Sequence, residues 1–166
     1  MDTFDDPLLV TAAGYQELER EYLELTANGR RRLSERVRDA RLDGGIAENP
    51  ALFELLEEQL QLESRIASLS AKLAAAQIAT PPADGRAGVG SAVRVRHRES
   101  GDVAEYELVG TIESGLGQRR VSIGAPVGRA LLGHLPGALV EVTTPRGQLA
   151  LEVIGVRHAS FIDEAA

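Results

Sequence analysis

The chain contains no cysteine. That excludes a disulfide framework, thiolate chemistry and cysteine zinc sites. Tryptophan is also absent, and aromatics make up 4% of residues against a hydrophobic fraction of 43%. A core here must be built from Leu, Val, Ile and Ala. Lysine is almost missing: Lys72 stands alone among 18 basic residues, a bias that reflects a GC-rich genome rather than a function. The three histidines, His97, His134 and His158, lie far apart without ligand spacing and read as surface or structural residues. No run of about 18 apolar residues exists, and the opening "MDTFDDPLL" is acidic, unlike a signal peptide. A soluble, cytoplasmic protein with no membrane partner is expected. Excess positive charge is lacking too. The net charge of −7 excludes a generic nucleic-acid binder. The 166 residues permit one large domain or two small ones.

What is present divides into two halves with different periods. Residues 11–78 read as helix. Leu18, Tyr22 and Leu25, then Leu33, Val37 and Ala40 beyond Gly29, share one face. Leu52, Leu55, Gln59, Leu62, Ile66, Leu69, Leu73 and Ala76 form a heptad seam, the pattern of two helices packed side by side. Each stretch is roughly 27 to 32 residues, or about 40 to 48 Å. Thr11 is a candidate N-cap. Gly44 and Gly45 end the first stretch. Asn49 and Pro50 open the second. A short connection between two such seams implies an antiparallel pair, with "RLDGGIAENPAL" (41–52) as its bend.

"IATPPADGRAGVG" (78–90) breaks the helix and reads as a linker. Beyond it the period is two. "AVRVRHR" (92–98), "AEYELVGTI" (104–112), "ALVEVTT" (138–144) and "LALEVIGVRH" (149–158) read as strands, "TPRG" (144–147) as a hairpin turn. "APVGRALLG" fits a short helix started by Pro126 and stopped by Gly133. The fold class is α+β: a helical hairpin, then a small antiparallel sheet with one short helix. The expected domains are a rod at 1–78, a linker at 79–90, a second domain at 91–158 and a tail at 159–166. Residues 1–80 carry 15 acids and 9 bases and 81–166 carry 10 and 9, so most of the negative charge sits on the rod.

Taken in order, these segments resemble a known family. "LVTAAGYQELEREYLEL" (9–25), the bend "ARLDGGIAENPAL" (40–52), "ESRIASLSAKLAAAQI" (63–78), "YELVGTIES" (106–114), "VSIGAPVGRALLG" (121–133) and "PGALVEVTTPRG" (136–147) are together similar to the Gre transcription-elongation factors, GreA and GreB. The resemblance covers nearly the whole chain. It implies an N-terminal antiparallel coiled coil and an FKBP-like C-terminal domain. It also implies a role in transcription elongation and its regulation, with DNA binding as a family-level association. The partner it implies is bacterial RNA polymerase, whose secondary channel the coiled coil enters while the C-terminal domain docks at the entrance. The nascent RNA 3′ end is met only within that complex. A family factor has no independent active site. Its two tip carboxylates help to hold a second Mg²⁺ with which the polymerase hydrolyses backtracked RNA. No catalytic residue, no metal in isolation and no cofactor of its own are therefore expected, only a weak contact with the polymerase Mg²⁺. A monomer is expected.

Carried over residue by residue, the resemblance marks three regions. At the tip, Asp43, Gly44, Gly45, Glu48 and Asn49 fall on the family motif Gly-Asp-Leu-Ser-Glu-Asn. Gly44, Glu48 and Asn49 match, but Gly45 stands where the family has Asp, and Pro50, Ala51 and Leu52 replace Ala, Glu and Tyr. A lone Glu48 offers a hard cation a single carboxylate. Asp43 lies two residues early and substitutes only if the Gly-Gly turn rearranges. Both acids also read as solvated turn residues, with Asp43 suited to an Asx turn, beside a residual electrostatic role near the polymerase metal. On the rod, Arg30, Arg31 and Arg32 occupy the family's RNA-facing basic patch, and at least one of them is expected instead to pair with glutamates of the other helix. In the second domain, Gly124, Ala125, Pro126, Val127 and Arg129 fall on the docking loop. There Ala125 replaces the family Ser and Gly124 stands where an acid is frequent. Against that reading, Pro126 serves only to start a helix and Arg129 is only solvated.

The expectation is a Gre-like regulator that occupies the polymerase secondary channel, cleaves transcripts little or not at all, and modulates transcription, in the direction of inhibition. The alternative is a true cleavage factor that uses Asp43 and Glu48. Prolyl isomerase activity needs an aromatic-lined pocket, and this half offers only Tyr106 and Phe161.

Overall fold

The structure, a computed structural model, describes residues 8–45, 47, 49–113 and 119–158. In chain order its elements are β1 (Leu8–Val10), α1 (Ala12–Glu24), a π-helical turn (Leu25–Gly29), α2 (Arg30–Leu42), α3 (Pro50–Ala75), β2 (Ala76–Ile78), β3 (Ser91–His97), β4 (Val103–Val109), β5 (Arg120–Ser122), α4 (Pro126–Leu131), β6 (Leu139–Thr144) and β7 (Gly147–His158). They group into two compact units. Of the described residues, one holds those within 16–75, and the other holds 8–15 together with those from 76 to 158.

The first unit is the expected helical hairpin. Ion pairs join Glu21 to Arg65, Arg30 to Glu63 and Arg36 to Glu58, so numbers rise on one arm as they fall on the other and the arms are antiparallel. Leu33, Val37, Leu52 and Leu55 are buried together, with Ala40, Leu56 and Leu62 around them. The π turn has a reason in the spacing. Leu25, Gly29, Leu33 and Val37 recur every four residues, whereas an α-helix needs 3.6 per turn, so the face drifts by about 40° at each step. One wider π turn takes up the extra residue and returns Leu33 and Val37 to the seam. The second arm ends earlier than its seam implies. α3 stops at Ala75, and Ala76–Ile78 pairs in parallel with Leu8–Val10.

The second unit is built on a five-stranded sheet in the order β5-β4-β3-β7-β6. Alternation puts Val93 and Val95 of β3, Leu108 of β4, Val140 and Val142 of β6, and Leu151 and Val153 of β7 into one core, closed by Leu131 of α4. The expected hairpin turn at 144–147 is present, with Thr144 paired to Gly147. A bulge on β7 opposite Arg94 and Val95 leaves Ile154 without a register partner. The sheet is not wholly antiparallel, because β5 joins β4 in parallel.

Contacts group the chain differently from the expected rod and linker. Residues 8–15 belong with the sheet unit, and the supposed linker 79–90 is folded against it. Ala87 is 1% exposed, accepts from the Gly133 amide at 2.7 Å and donates its own amide to the His134 carbonyl at 2.9 Å. Its glycines serve close packing rather than looseness: a Cβ at Gly88 would collide with the Pro82 ring, and one at Gly90 would press on Pro81. The expected tail 159–166 lies outside the described residues.

Candidate functional site

The tip is a closed turn, and Asn49 closes it. The helix α2 ends at Leu42, and the Asp43 amide donates to the Ala40 carbonyl at 3.2 Å. Gly44 follows at φ +128°, a backbone that favours glycine. The Asn49 side chain then reaches back, its Nδ2 donating to the Ala40 carbonyl at 3.0 Å. Its Oδ1 accepts the amides of Ala51 at 3.1 Å and Leu52 at 3.3 Å, capping α3 at the turn where Pro50 is the first residue. The Asn49 amide closes the loop onto the Gly45 carbonyl at 2.9 Å. One side chain thus ties the end of one helix to the start of the next. Sequence reading gave it the cap and a place in the tip motif, but not the bond to Ala40.

Around this clamp Asp43, Gly45 and Ala47 are exposed. Glu48 lies outside the described residues. A side chain built at Gly45 would meet nothing within 4 Å. Among the described tip residues Asp43 is the one carboxylate. Gly45 contributes no oxygen from a side chain, and Asn49 has its amide oxygen engaged by two backbone donors. Among the described residues no group of three His, Asp or Glu side chains is placed to hold a metal.

The three arginines expected to form a basic patch have separate partners. Arg30 grips Glu63 of α3 with two hydrogen bonds, at 2.8 and 2.6 Å. This contact holds the Glu63 carboxyl below the ordinary carboxylate range and raises Arg30. Arg32 pairs with Glu24 at 3.1 Å. Glu24 is also held low, first by its hydrogen bond from Asn28 and then by Arg32. Arg31 meets only a neutral amide, the Asn28 Oδ1 at 3.2 Å. Of the three, Arg30 pairs across the hairpin, and Arg31 makes no ion pair among the described residues, though its charge also helps to hold Glu24 low.

In the sheet unit, the Ser122 hydroxyl accepts the Gly124 amide at 3.1 Å and the Ser122 carbonyl accepts the Ala125 amide at 2.9 Å. Ala125 is extended, Pro126 takes the first helical position, and both Gly124 and Pro126 are exposed. Arg129 is not merely solvated: its Nη2 donates to the Gly124 carbonyl at 3.0 Å and bridges the loop. Val127 packs inward against the core and supports the loop instead of facing out. A residue that sequence reading missed is Gly128. It is buried, and a Cβ there would overlap the Ser122 carbonyl. A glycine inside a six-residue helix was its only signal.

Two family models match this chain: "Transcription elongation factor, GreA/GreB, C-term" over residues 82–158, and "Transcription elongation factor, N-terminal" over residues 8–78. Transcription elongation factor GreA of Syntrophobacter fumaroxidans is 33% identical over 151 residues, spanning 90% of this chain and 97% of that protein. GreA of Pseudomonas putida is 33% identical over 152 residues, 90% and 95% respectively. Among solved structures, GreA factor homolog 1 (Gfh1) of Thermus thermophilus is 27% identical, covers 92% of this chain and 99% of that chain, and superposes with a TM-score of 0.40.

Proposed function

The chain belongs to the GreA/GreB family of transcription elongation factors, and from that premise we propose that it enters the secondary channel of bacterial RNA polymerase and modulates elongation, in the inhibitory direction, with little or no transcript cleavage. The observation that carries this reading is Gly45, an exposed tip position with no side chain where a cleaving tip needs a carboxylate. Two-metal hydrolysis requires oxygen ligands on a second ion. A tip that offers Asp43 and Glu48 but nothing from residue 45 fills the channel without completing that set. Filling it obstructs nucleotide entry, and the remaining acids leave negative charge near the polymerase metal. The loop at Gly124–Arg129 is the docking surface in this reading, with Ala125 and Pro126 at its edge and Val127 and Gly128 beneath them.

A second reading has its own support. The relatives above carry the name GreA, and Asp43 is exposed beside Gly44, whose backbone adopts conformations closed to other residues. In that reading Asp43 and Glu48 serve together in a true cleavage factor. A defined, stalled elongation complex assayed for both RNA cleavage and RNA extension separates the two. Reduced extension without release of 3′ fragments supports the proposal. Fragment release matching that of an ordinary Gre factor at equal occupancy replaces it with the second reading.

A further inference from the structure

Asn49 does more at the tip than start a helix. A cap needs only an acceptor for the first free amides, which Ser, Thr or Asp supplies as well as Asn. Pro50 already favours the cap geometry, because the residue before a proline is kept out of the helical region. What sets Asn apart among the capping residues is a donor and an acceptor on separate atoms. Here both are in use. Oδ1 accepts the Ala51 and Leu52 amides, while Nδ2 donates across the turn to the Ala40 carbonyl at 3.0 Å. An aspartate in its place would cap equally well and could not make that last bond.

The Ala40 carbonyl is the node of the arrangement. It lies in the last turn of α2, where carbonyls lack a partner further along the helix. It accepts two donors, the Asp43 amide at 3.2 Å and Asn49 Nδ2. The Asn49 amide takes the other side of the turn through the Gly45 carbonyl at 2.9 Å. Asp43 and Gly45 are therefore each tied to Asn49, the first through a shared acceptor and the second directly. Asp43 does not take the place of residue 45 while these bonds hold. The backbone would have to slide by two residues, up to about 7 Å of chain, whereas a displacement of about 1 Å already costs a positioned group much of its effect. All of these contacts lie within the helical unit.

We propose that Asn49 is a positioning residue that fixes which tip residue is presented. It holds Asp43 at the end of α2 and leaves position 45 open, so that a carboxylate acts from this tip only when it stands at 45. This rests on the reading that the tip acts at the polymerase centre, but its first test does not. Asn49→Ser separates the two roles. Serine caps a helix as well as asparagine, yet its hydroxyl stops one bond short of the asparagine amide nitrogen and is taken up by the cap. Asn49→Asp likewise caps and has no donor. Backbone order parameters of Asp43, Gly44 and Gly45 are measured by NMR relaxation on the full chain. They should lie near about 0.85 in the parent and below about 0.6 in both variants. The Leu52 amide should stay protected from hydrogen exchange in all three, which shows that the cap and α3 are intact.

The second test reads transcript cleavage at saturating factor, so that affinity does not enter. Gly45→Asp with Ala47→Ser supplies the acid at 45, and adding Asn49→Ser to that pair should lower the release of 3′ fragments on the order of tenfold. A merely structural clamp would lower thermal stability without moving that maximum. Residues 43–45 as ordered in Asn49→Ser and Asn49→Asp as in the parent would overturn the proposal whatever polymerase does. A loosened tip with unchanged cleavage would overturn the positioning role. Cleavage by the parent that Asp43→Asn abolishes would overturn it too, since Asp43 would then act from its clamped place. If Gly45→Asp with Ala47→Ser cleaves no more than the parent, the reading that residue 45 is the defect fails, and the order parameters alone decide the clamp.

Discussion

Gly45→Asp, made together with Ala47→Ser, rebuilds the family tip and should raise transcript cleavage above the little or none proposed for the parent. The structure allows the change. Gly45 is exposed, a Cβ there meets nothing within 4 Å, and its backbone is not in the left-handed region reserved for glycine. Ala47 is exposed as well. Substitutions at such surface positions usually move stability by less than about 0.5 kcal/mol, so the melting temperature should stay within a few degrees of the parent. The gain in cleavage follows from electrostatics. A carboxylate about 4 Å from a divalent cation gains about 2 kcal/mol at the dielectric constant of water, a lower bound for a side chain that acts inside a protein channel. That is roughly thirtyfold in rate if it is realised in the transition state. The assay is the release of 3′ fragments from a backtracked elongation complex at saturating factor, with polymerase affinity measured in parallel. No added cleavage at unchanged affinity would refute the reasoning that residue 45 is the defect. Pro50 then becomes the suspect, since its fixed φ sets how the chain leaves Glu48.

Three further outcomes are expected. Asn49→Ala removes the cap of α3 and the bond to the Ala40 carbonyl together, so thermal unfolding should show a loss of about 1 to 2 kcal/mol, and a loss of a few tenths would mean the clamp is not a structural one. Glu63 is held below its ordinary range by Arg30, so the pair's contribution is present above the unfolded carboxylate pKa and vanishes as pH falls through the lower folded value. Both partners are solvent-exposed and the effect is small, but melting curves of the parent and Arg30→Gln should converge in acid and separate towards neutrality, and a gap independent of pH would contradict the assignment. Pro126→Ala should fold normally, Ala being a good residue in a helix, yet bind core polymerase more weakly. Arg129→Glu should weaken binding further, chiefly through the association rate at low salt if the partner surface is acidic, and unchanged affinity for both folded variants would place the docking surface elsewhere.

The legible parts of this fold are those whose signal is local. Leu52, Leu55, Ile66 and Leu69 announce the second arm by spacing alone, and Thr11, Asn49, Pro50 and Gly133 mark helix ends because each satisfies or breaks the backbone beside it. The run of fours from Leu25 to Val37 was visible, but its meaning, a π turn, follows only when drift per residue is counted. Composition misled at 79–90. Prolines and glycines look the same in a loose loop and in one whose rings seat against glycines, and only the burial of Ala87 and Val89 tells them apart. β5 escaped because three residues are too few to show a period, and its partner strand is parallel. At the tip, the missing acid was legible by its difference from a motif. In the sheet unit, the buried Glu113, whose carboxylate accepts the Thr11 amide, was not legible, because nothing near it in sequence mentions Thr11.

These two carboxylate positions differ physically in a way that bears on how such a protein changes its activity. Residue 45 faces open space, so its side chain is free to be present or absent with no repacking. Glu113 is enclosed by Thr11, Gly14 and Gly110, each of which fits only while the others keep their identity. A change at the tip therefore alters chemistry while leaving the fold alone. A change at Glu113 alters the fold first. With residue 45 so open and Glu113 so enclosed, a substitution at residue 45 is expected to leave the fold intact, whereas one at Glu113 is expected to lower its stability.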